Sequence, residues 1–294
     1  MIQNDLIEAC LKFTPHEGFH QTPLSTLQIV KCSAKTEPTH TVYTPCLCYI
    51  VQGEKEALIA NKVYRYSPSQ YLVSSVDIPV TGQVTEASKS RPYLCLVLEI
   101  ESDVVYEVIS NTSASAPTSA PSQRGFYVEK VNPDLSEAFL RLLRAMQNED
   151  DMKFLAPSIV REIVYRLLSS KYGDVVRQLG IVGSQTQRIS KVIETIRRDY
   201  ASPIKIDELA KMAGMSPSSF HQHFKRVTAL SPLQYQKRIR LHEARRLLSL
   251  DAGDAASVSF RVGYESPSQF SREYARQFGL PPIADLKRLK SSEP

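Results

Sequence analysis

The sequence predicts an α+β protein of two domains: an N-terminal antiparallel β-barrel with trailing helices, and a C-terminal all-α domain with two helix-turn-helix units. Short β-branched and aromatic runs fill residues 26–100, apolar residues recur at helical spacing from residue 133, and the last part of the chain contains an internal repeat. With 294 residues, 42% of them hydrophobic, the chain can bury a core in each domain. We expect the domains to cover residues 1–184 and 185–294, with the barrel at about 20–130 and the trailing helices at about 134–172.

Six short runs in the first domain are typical of strands in a sandwich or barrel, because no helical segment separates them. They read TLQIVKC, CLCYIV, KEALIA, KVYRY, QYLVSS and YLCLVLEI. Residues 52–54 (Gln-Gly-Glu) and Asn61-Lys62 predict tight hairpin turns. One more short strand is expected around Phe126 to Val128.

The second half of this domain changes to helical periodicity. Residues 111–123, NTSASAPTSAPSQ, cannot bury a core and predict a mobile surface loop. Two amphipathic helices are expected after it, one beginning at Pro133 and one following Pro157. They could pack against the barrel or form a dimerisation face, and both alternatives stay open. Residues 180–187, GIVGSQTQ, predict a connector to the basic domain.

Composition excludes several classes of protein. No stretch approaches the ~20 uninterrupted apolar residues of a membrane span, and the N-terminal segment carries acids where a signal peptide is basic. We therefore expect a cytoplasmic protein without a membrane partner. An odd number of cysteines without metal-ligand spacing is typical of free thiols in a reducing compartment. They are Cys10, Cys32, Cys46, Cys48 and Cys95.

The formal charge of +5 hides an asymmetry between the two domains. Residues 185–294 contain 19 Lys plus Arg and 11 Asp plus Glu, a net charge of +8, which leaves 17 and 20, a net charge of −3, for residues 1–184. A basic module joined to a mildly acidic remainder is the charge layout of a nucleic-acid-binding protein.

The C-terminal domain matches itself at an offset of 50 residues. Nine of 24 positions are identical between residues 215–238 and 265–288, where chance predicts about one or two. Each copy has the pattern of a helix-turn-helix, with an apolar helix face, a turn glycine (Gly214 or Gly263) and a Ser-Pro pair that begins the second helix. The two copies therefore predict one duplicated structural unit.

A continuous helix is expected between the copies, over residues 232–250. It would span roughly 28 Å at ~1.5 Å per residue. Two recognition helices on one face of B-DNA enter major grooves about 34 Å apart, so a linker of this length suits two successive grooves. Arg245 and Arg246 on this helix predict surface ion pairs with Glu243 and Asp251.

Polar side chains on the outer faces of the second helices are the candidates for DNA contacts. Short directional groups and arginine can read base edges, whereas other cations neutralise phosphates. The base-reading candidates are Ser218, His221, Gln222, Ser268, Gln269, Ser271 and Arg272. The phosphate candidates are Lys225, Arg226, Lys237, Arg238, Arg261 and Arg276.

The C-terminal part of about 105 residues resembles the double helix-turn-helix domain of AraC/XylS transcriptional regulators. The similarity lies in LAKMAGMSPSSFHQHFKRVTALSPLQYQKRIRLHEARRLL and VGYESPSQFSREYARQFGLPP. The segments YIVQGEK, YRYSPSQYLVSSVDIPVTGQV and PYLCLVLEI are similar to the cupin-like N-terminal domain of one subgroup. The resemblance implies a bacterial cytoplasmic regulator, usually an activator, that binds double-stranded promoter DNA and contacts RNA polymerase.

By position, the resemblance puts the base-reading slots of the first recognition helix on Ser218, His221 and Gln222. It puts those of the second on Pro267, Ser268, Ser271 and Arg272. The chain departs from the family in two places. Ser218 is smaller than the usual side chain, and Ala229 stands where many members have glycine. Because the side chain of Pro267 cannot donate a hydrogen bond, the second helix is expected to read fewer bases than the first.

Three functions remain open for the barrel. It could sense a small-molecule effector, it could only dimerise in a constitutive DNA-binding regulator, or it could be a cupin-type enzyme. The enzyme is the least favoured alternative, because His16, His20 and His40 do not form the clustered pair of a cupin metal site. We expect no catalytic residue, metal or cofactor. Cys48 and Cys95, inside strand runs, are effector-binding candidates that could sense an electrophile.

Overall fold

The computed structural model describes residues 2–60, 62–112, 124–250 and 253–291. Contacts divide the chain into two compact units, Met1–Arg188 with Arg226–Ala229, and Ile189–Lys225 with Leu230–Pro294. The first unit contains antiparallel sheets with helices and the second is helical. This confirms the predicted α+β fold class.

Within the described residues, ten strands form the first unit's sheets. They are β1 (Gly18–Gln21), β2 (Leu27–Cys32), β3 (Thr39–Tyr43), β4 (Cys46–Gln52), β5 (Glu54–Ile59), β6 (Lys62–Tyr66), β7 (Gln70–Ser74), β8 (Ile78–Glu86), β9 (Tyr93–Glu99) and β10 (Phe126–Lys130). A six-stranded sheet has the order β1-β2-β9-β4-β7-β10, and a four-stranded sheet has the order β3-β8-β5-β6. All six predicted runs and the strand at Phe126 are confirmed, while β1, β3 and β8 were not among the predicted runs.

One predicted hairpin is confirmed and the other is wrong. Strands β5 and β6 pair, with Ile59 opposite Lys62. Residues 52–54 instead carry the chain from β4 in one sheet to β5 in the other. Gly53 is required there because its φ is +82° and an added Cβ would lie 2.5 Å from the Glu86 carbonyl oxygen. A local turn pattern does not reveal whether the flanking strands share a sheet.

Helices cover one face of the six-stranded sheet. They are α1 (Ile2–Lys12), α2 (Ser102–Asn111), α3 (Pro133–Ala145), α4 (Glu149–Leu168) and α5 (Gly173–Gly180). Strand β4 is buried along its whole length, because alternate residues face these helices and the barrel interior. The two predicted helices correspond to α3 and α4, whereas α1, α2 and α5 were not predicted.

Three boundaries differ from the predicted ones. Helix α4 begins at Glu149, where the Asn148 side chain accepts a hydrogen bond from the Asp151 amide, so Pro157 lies inside the helix rather than before it. The predicted connector is shorter, because α5 runs to Gly180 and the next helix begins at Gln185. Residues 113–123 of the predicted loop lie outside the described residues, and Asn111 ends α2.

The remaining helices belong to the second unit, except that residues 185–188 of α6 and 226–228 of α8 are grouped with the first. They are α6 (Gln185–Arg198), α7 (Ile206–Met212), α8 (Pro217–Thr228), α9 (Pro232–Ser249), α10 (Ala255–Arg261), α11 (Pro267–Phe278) and α12 (Pro282–Ser291). The continuous helix expected between the repeats is α9, which starts at a capping box formed by Ser231 and Gln234. Helix α12 was not predicted.

The repeat is visible in the backbone as well as in the sequence. Ala229, after α8, has a φ of +61°, and Gly279, 50 residues later and after α11, has a φ of +81°. A left-handed residue commonly ends a helix, and glycine adopts that conformation at the lowest cost. Ala229 therefore adopts the same left-handed conformation as Gly279, with a residue that is less suited to it.

Candidate nucleic-acid interface

The first helix-turn-helix consists of α7 and α8. Gly214 makes the turn with a φ of +63°, and the amide of Met215 donates to the Ala210 carbonyl at 2.9 Å. The Ser216 hydroxyl accepts a 3.3 Å hydrogen bond from the Ser219 amide and thereby caps α8. Phe220 is fully buried, which fixes the inner face of α8 and directs the opposite face to solvent.

The second helix-turn-helix, α10 and α11, repeats this construction. Asp254 caps α10 by accepting from the Ser257 amide at 2.7 Å, and Ser266 caps α11 through the Gln269 amide. Gly263 has a φ of +89°, and an added Cβ would lie 2.1 Å from the Ala201 carbonyl oxygen. Only glycine fits this turn, for both conformational and steric reasons.

A buried ion pair joins helix α9 to α12, the helix that follows the second helix-turn-helix. Nε of Arg245 donates to Asp285 Oδ2 at 2.7 Å, and Nη2 donates to Oδ1 at 3.0 Å. Tyr274 and Arg288 donate to the same carboxylate, which is completely buried. The predicted surface pair of Arg246 with Glu243 is present, but the surface pair predicted for Arg245 is wrong. Asp285 lies 40 residues away from Arg245, so sequence proximity could not identify it.

The base-reading candidates occupy the outer faces of the two recognition helices, α8 and α11. Six are exposed and Ser271 is half-buried. The exposed ones are Ser218, His221, Gln222, Ser268, Gln269 and Arg272. Residues three and four positions apart share one face of a helix, so each set can reach into one groove. Pro267 is the first residue of α11, where it leaves no amide hydrogen unsatisfied.

The phosphate candidates differ in how far their side chains are exposed. Lys225 and Arg276 are exposed and, among the described residues, have no ion pair. Arg226 and Arg261 are also exposed, although the Arg226 guanidinium hydrogen-bonds Gln185. Arg238 is only partly exposed, and burial lowers the pKa of its guanidinium. The exposed cations are therefore better placed to meet a phosphate than Arg238.

Sequence reasoning missed a carboxylate that organises part of this surface. Glu273 accepts from Lys237 Nζ at 2.9 Å, from the Tyr264 hydroxyl at 2.9 Å and from Gln269 Nε2 at 3.4 Å. Burial alone would raise the pKa of Glu273, but the hydrogen bonds from Lys237, Tyr264 and Gln269 lower it below its ordinary value. One ionised side chain thus holds a phosphate candidate and a base-reading candidate together.

We expect Glu273→Gln to steepen the salt dependence of DNA binding. Lys237 would lose its ion-pair partner, and an additional phosphate contact changes the slope of log K against log salt by about 0.9. Binding titrations over a range of salt concentrations measure this slope. Glu265→Gln, which removes an acid from the adjoining turn, is the matched control. An equal slope in the two variants would show that releasing Lys237 from Glu273 adds no phosphate contact.

The first unit places Cys48 and Cys95 together in the barrel interior, only 3% and 2% exposed. The Sγ atoms of Cys46 and Cys48 are 3.8 Å apart. A hydrogen bond with Cys46 and burial raise the pKa of Cys48, and a hydrogen bond with Cys48 and burial raise the pKa of Cys95. Because the thiolate is the reactive form, these shifts disfavour the predicted reaction with an electrophile.

The described residues contain neither a candidate metal site nor a candidate membrane span. Across residues 2–60, 62–112, 124–250 and 253–291, no group of three or more His, Cys, Asp or Glu side chains is arranged to hold a metal ion. None of the helices in these ranges has the length and apolar character needed to cross a membrane.

Two family models match the chain. One is described as the AraC-type transcriptional regulator N-terminus and matches residues 23–175, and the other is a helix-turn-helix domain that matches residues 209–288. A curated relative, the HTH-type transcriptional activator RhaS of Escherichia coli O1:K1 / APEC, is 24% identical over 153 residues. That alignment covers 52% of this chain and 55% of RhaS, so the chain spans about half the length of the curated relatives it matches.

Solved structures show a similar fold at low identity. The apo form of a ToxT point variant from Vibrio cholerae strain SCE256 has a TM-score of 0.57 and 8% identity, covering 92% of this chain and 98% of that chain. Wild-type ToxT from the same strain, bound to an unsaturated fatty acid, has a TM-score of 0.54 and 9% identity, covering 88% of this chain and 94% of that chain. At this identity the likeness concerns the fold alone.

Proposed function

The chain belongs to the AraC-type family of transcriptional regulators, and from that premise we propose that it is a sequence-specific DNA-binding regulator and not an enzyme. The duplicated helix-turn-helix carries this proposal: α8 and α11 each have a buried aromatic face, a serine cap and exposed polar side chains. Helix α9, with 18 residues, is about 27 Å long at ~1.5 Å per residue. Its length supports the placement of α8 and α11 in successive major grooves.

The side chains suggest different roles for the two recognition helices. Arg272 can bind guanine with two hydrogen bonds, and Gln222 or Gln269 can bind adenine in the same way. Lys225 and Arg276 would neutralise phosphates, and the capped N-termini of α8 and α11 offer amides to further phosphates. We propose the same two roles, base contact and phosphate contact, for the remaining base-reading and phosphate candidates.

We expect Arg272→Ala and Lys225→Ala to weaken DNA binding in different ways. Loss of Arg272 should reduce the binding free energy by ~1–3 kcal/mol and relax the base preference at one base pair. Loss of Lys225 should weaken binding to all sequences and reduce the salt slope by about 0.9. Titrations with an operator selected from random DNA, and with each single-base variant of it, distinguish the two effects.

The exposed Lys205, which is paired with Glu208, provides the control substitution Lys205→Ala, expected to leave both quantities unchanged. Equal losses on every sequence after Arg272→Ala would contradict base reading by Arg272. Absence of any salt-dependent affinity in the unaltered protein would contradict the proposed function itself.

For the first unit we propose that the barrel binds a small-molecule effector, with Cys48 and Cys95 contacting it as part of the wall. The wild-type ToxT structure, which holds a fatty acid, supports ligand binding by a chain of this fold. The alternative, a barrel that only dimerises, is favoured by α4, where Phe154 and Leu155 are 71% and 49% exposed. Effector binding and dimerisation are compatible in one protein, and we propose α4 as the homodimer contact.

Three further proposals follow from family membership. The RhaS relative is named as an activator, which supports activation rather than repression by this chain. An activator acts through RNA polymerase, which we propose as its protein partner. Promoter DNA as the target supports a cytoplasmic location in a bacterial cell.

A further inference from the structure

The barrel interior contains a cluster of polar side chains that sequence analysis did not identify. In β4, the helix-facing side chains Leu47 and Tyr49 belong to the core shared with the helices, so Cys46 and Cys48 face the interior. The same alternation in β9 directs Tyr93 and Cys95 inward, because Leu94 and Leu96 belong to the helix-side core. The inner face of the six-stranded sheet therefore presents thiols and a phenol.

The four-stranded sheet contributes a lysine and two more phenols. Lys55 in β5 is paired with Tyr66 in β6, and paired residues share a face of the sheet. The hydroxyl groups of Tyr43 and Tyr66 are 3.5 Å apart. The charge of Lys55 interacts with Cys48 and Cys95 of the opposite sheet, so this face also points into the barrel.

The ammonium group of Lys55 is held in a defined position. Its Nζ lies 5.4 Å from the ring centroid of Tyr43, a distance at which a cation interacts with an aromatic ring. Gly82 makes room for it, since an added Cβ there would lie 2.8 Å from Lys55 Cε. The lysine thus occupies one site beneath the sheet instead of extending into solvent.

This cation has no anionic partner. Among the described residues, no carboxylate forms an ion pair with Lys55, and the groups that act on it are Tyr43, Cys48 and Cys95. Burial raises the pKa of Tyr43, and thiol hydrogen bonding together with burial raises those of both cysteines, so all three are neutral at neutral pH. Burial lowers the pKa of Lys55, and the interactions that raise it come from Tyr43 and the two cysteines. Because these groups carry no charge at neutral pH, the partly desolvated ammonium is unfavourable unless an anion joins it.

A second group in the same interior is poorly satisfied. The Tyr93 hydroxyl is buried and lacks an oxygen or nitrogen partner among the described residues, so only the weak Cys95 thiol interacts with it. A buried phenol without a strong partner is costly and uncommon. Lys55 and Tyr43, in contrast, are partly exposed, so the cluster extends from the interior to the surface. A ligand could approach by that route.

We propose that the effector site in this barrel binds a small organic monocarboxylate, whose anionic oxygens pair with Lys55 and the neighbouring tyrosine hydroxyls. One ammonium balances one negative charge, whereas a phosphate dianion would require more. The thiols and tyrosine rings suit an apolar ligand body. This inference rests on the proposed sensing function and adds the chemical class of the effector and the residue that selects it.

Thermal-shift and calorimetric titrations of the full chain test the inference with matched probes. The probes are hexanoate, octanoate, benzoate and phenylacetate, each compared with its uncharged primary amide, and inorganic phosphate. The variants are Lys55→Met, which removes the charge at similar length, and Gly82→Ala, which keeps the charge but displaces its side chain. Lys62→Met is the control, because Lys62 is an exposed lysine on the neighbouring strand.

We expect at least one carboxylate to bind the unaltered protein and the Lys62 variant, and its amide to bind at least about tenfold more weakly. Lys55→Met should weaken the binding of that carboxylate by about tenfold or more, and Gly82→Ala should weaken it by a smaller factor. Without ligand, Lys55→Met should raise the melting temperature, since it removes a charge that lacks a partner.

Three results would overturn the proposal: no carboxylate binds, phosphate binds more tightly than every carboxylate, or Lys55→Met binds the carboxylate as well as the unaltered protein. Binding of the amides with equal affinity would leave a small-molecule sensor but exclude the anionic class. A cooperative thermal transition in Lys55→Met, at or above the melting temperature of the unaltered protein, shows that the variant is folded.

Discussion

Replacing Asp285 with alanine should destabilise the second unit by about 3–5 kcal/mol. The substitution leaves Arg245, whose side chain is 11% exposed, without its anion, and it removes the acceptor for Tyr274 and Arg288. An intact buried ion pair contributes little net stability. Removing one partner is nevertheless strongly destabilising, because the remaining charge stays desolvated. DNA binding should be lost together with the packing of α9 and α12.

Hydrogen exchange measured by mass spectrometry on the full chain resolves this effect by segment, with faster exchange expected in α9 to α12 and not in the barrel. Glu208→Ala is the control: it breaks an exposed pair with Lys205 and should cost no more than ~1 kcal/mol. Similar exchange rates in the Asp285 and Glu208 variants would show that the buried pair contributes no more than a surface pair.

The same carboxylate predicts an acid limit for the second unit. Burial alone would raise the pKa of Asp285, but the hydrogen bonds and charge of Arg245 lower it below its value in the unfolded chain. A depressed pKa contributes stability that is present above the unfolded pKa and is lost as pH falls through the folded one. Protection of α9 to α12 should therefore weaken below about pH 4 in the unaltered protein, and less so in Asp285→Asn.

Phe270→Ala should also cost about 3–5 kcal/mol, by leaving a cavity under the second recognition helix. Phe270 is fully buried, with ring centroids 5.3 Å from Tyr264 and 5.5 Å from Tyr274. Its core cluster contains the C-terminal half of α9, α10 and α11, but no described residue of α7 or α8. The damage should therefore stay in the second helix-turn-helix.

Segment-resolved hydrogen exchange and DNA footprinting measure this prediction together. We expect exchange to accelerate in α10 and α11 and footprint protection to shorten to one half-site. The exposed Phe260, at 57% exposure, provides the control Phe260→Ala, expected within about 0.5 kcal/mol of the unaltered protein. Simultaneous loss of protection in α7 and α8 would contradict separate packing of the two helix-turn-helix cores.

Much of the second unit was predictable because its signals are local. Serine caps, turn glycines and apolar spacing act within a few residues, and the 50-residue repeat allowed one copy to confirm the other. The exposed positions of Arg272 and Gln222 followed directly from helical geometry. Helix α12 was not predicted, although residues 282–288 repeat the start of α9 at residues 232–238.

The barrel was predictable only in part. Runs of β-branched residues identified its strands, but pairing partners are chosen by contacts between distant segments. Gly53 therefore looked like a hairpin turn although it joins two sheets. Pro157 likewise suggested a helix start, whereas the cap at Asn148 and the packing of α4 placed it inside the helix.

The sequence by itself determined the two-domain order, the fold class, the basic DNA-facing half and the duplicated recognition helices, since all of these depend on composition and short-range periodicity. Only the tertiary structure decided which charges meet. It buried Asp285 against Arg245, bound Lys237 to Glu273 and left Lys55 among neutral phenols and thiols. Electrostatic partners are set by distance in space, and residues tens of positions apart become neighbours only when the chain folds.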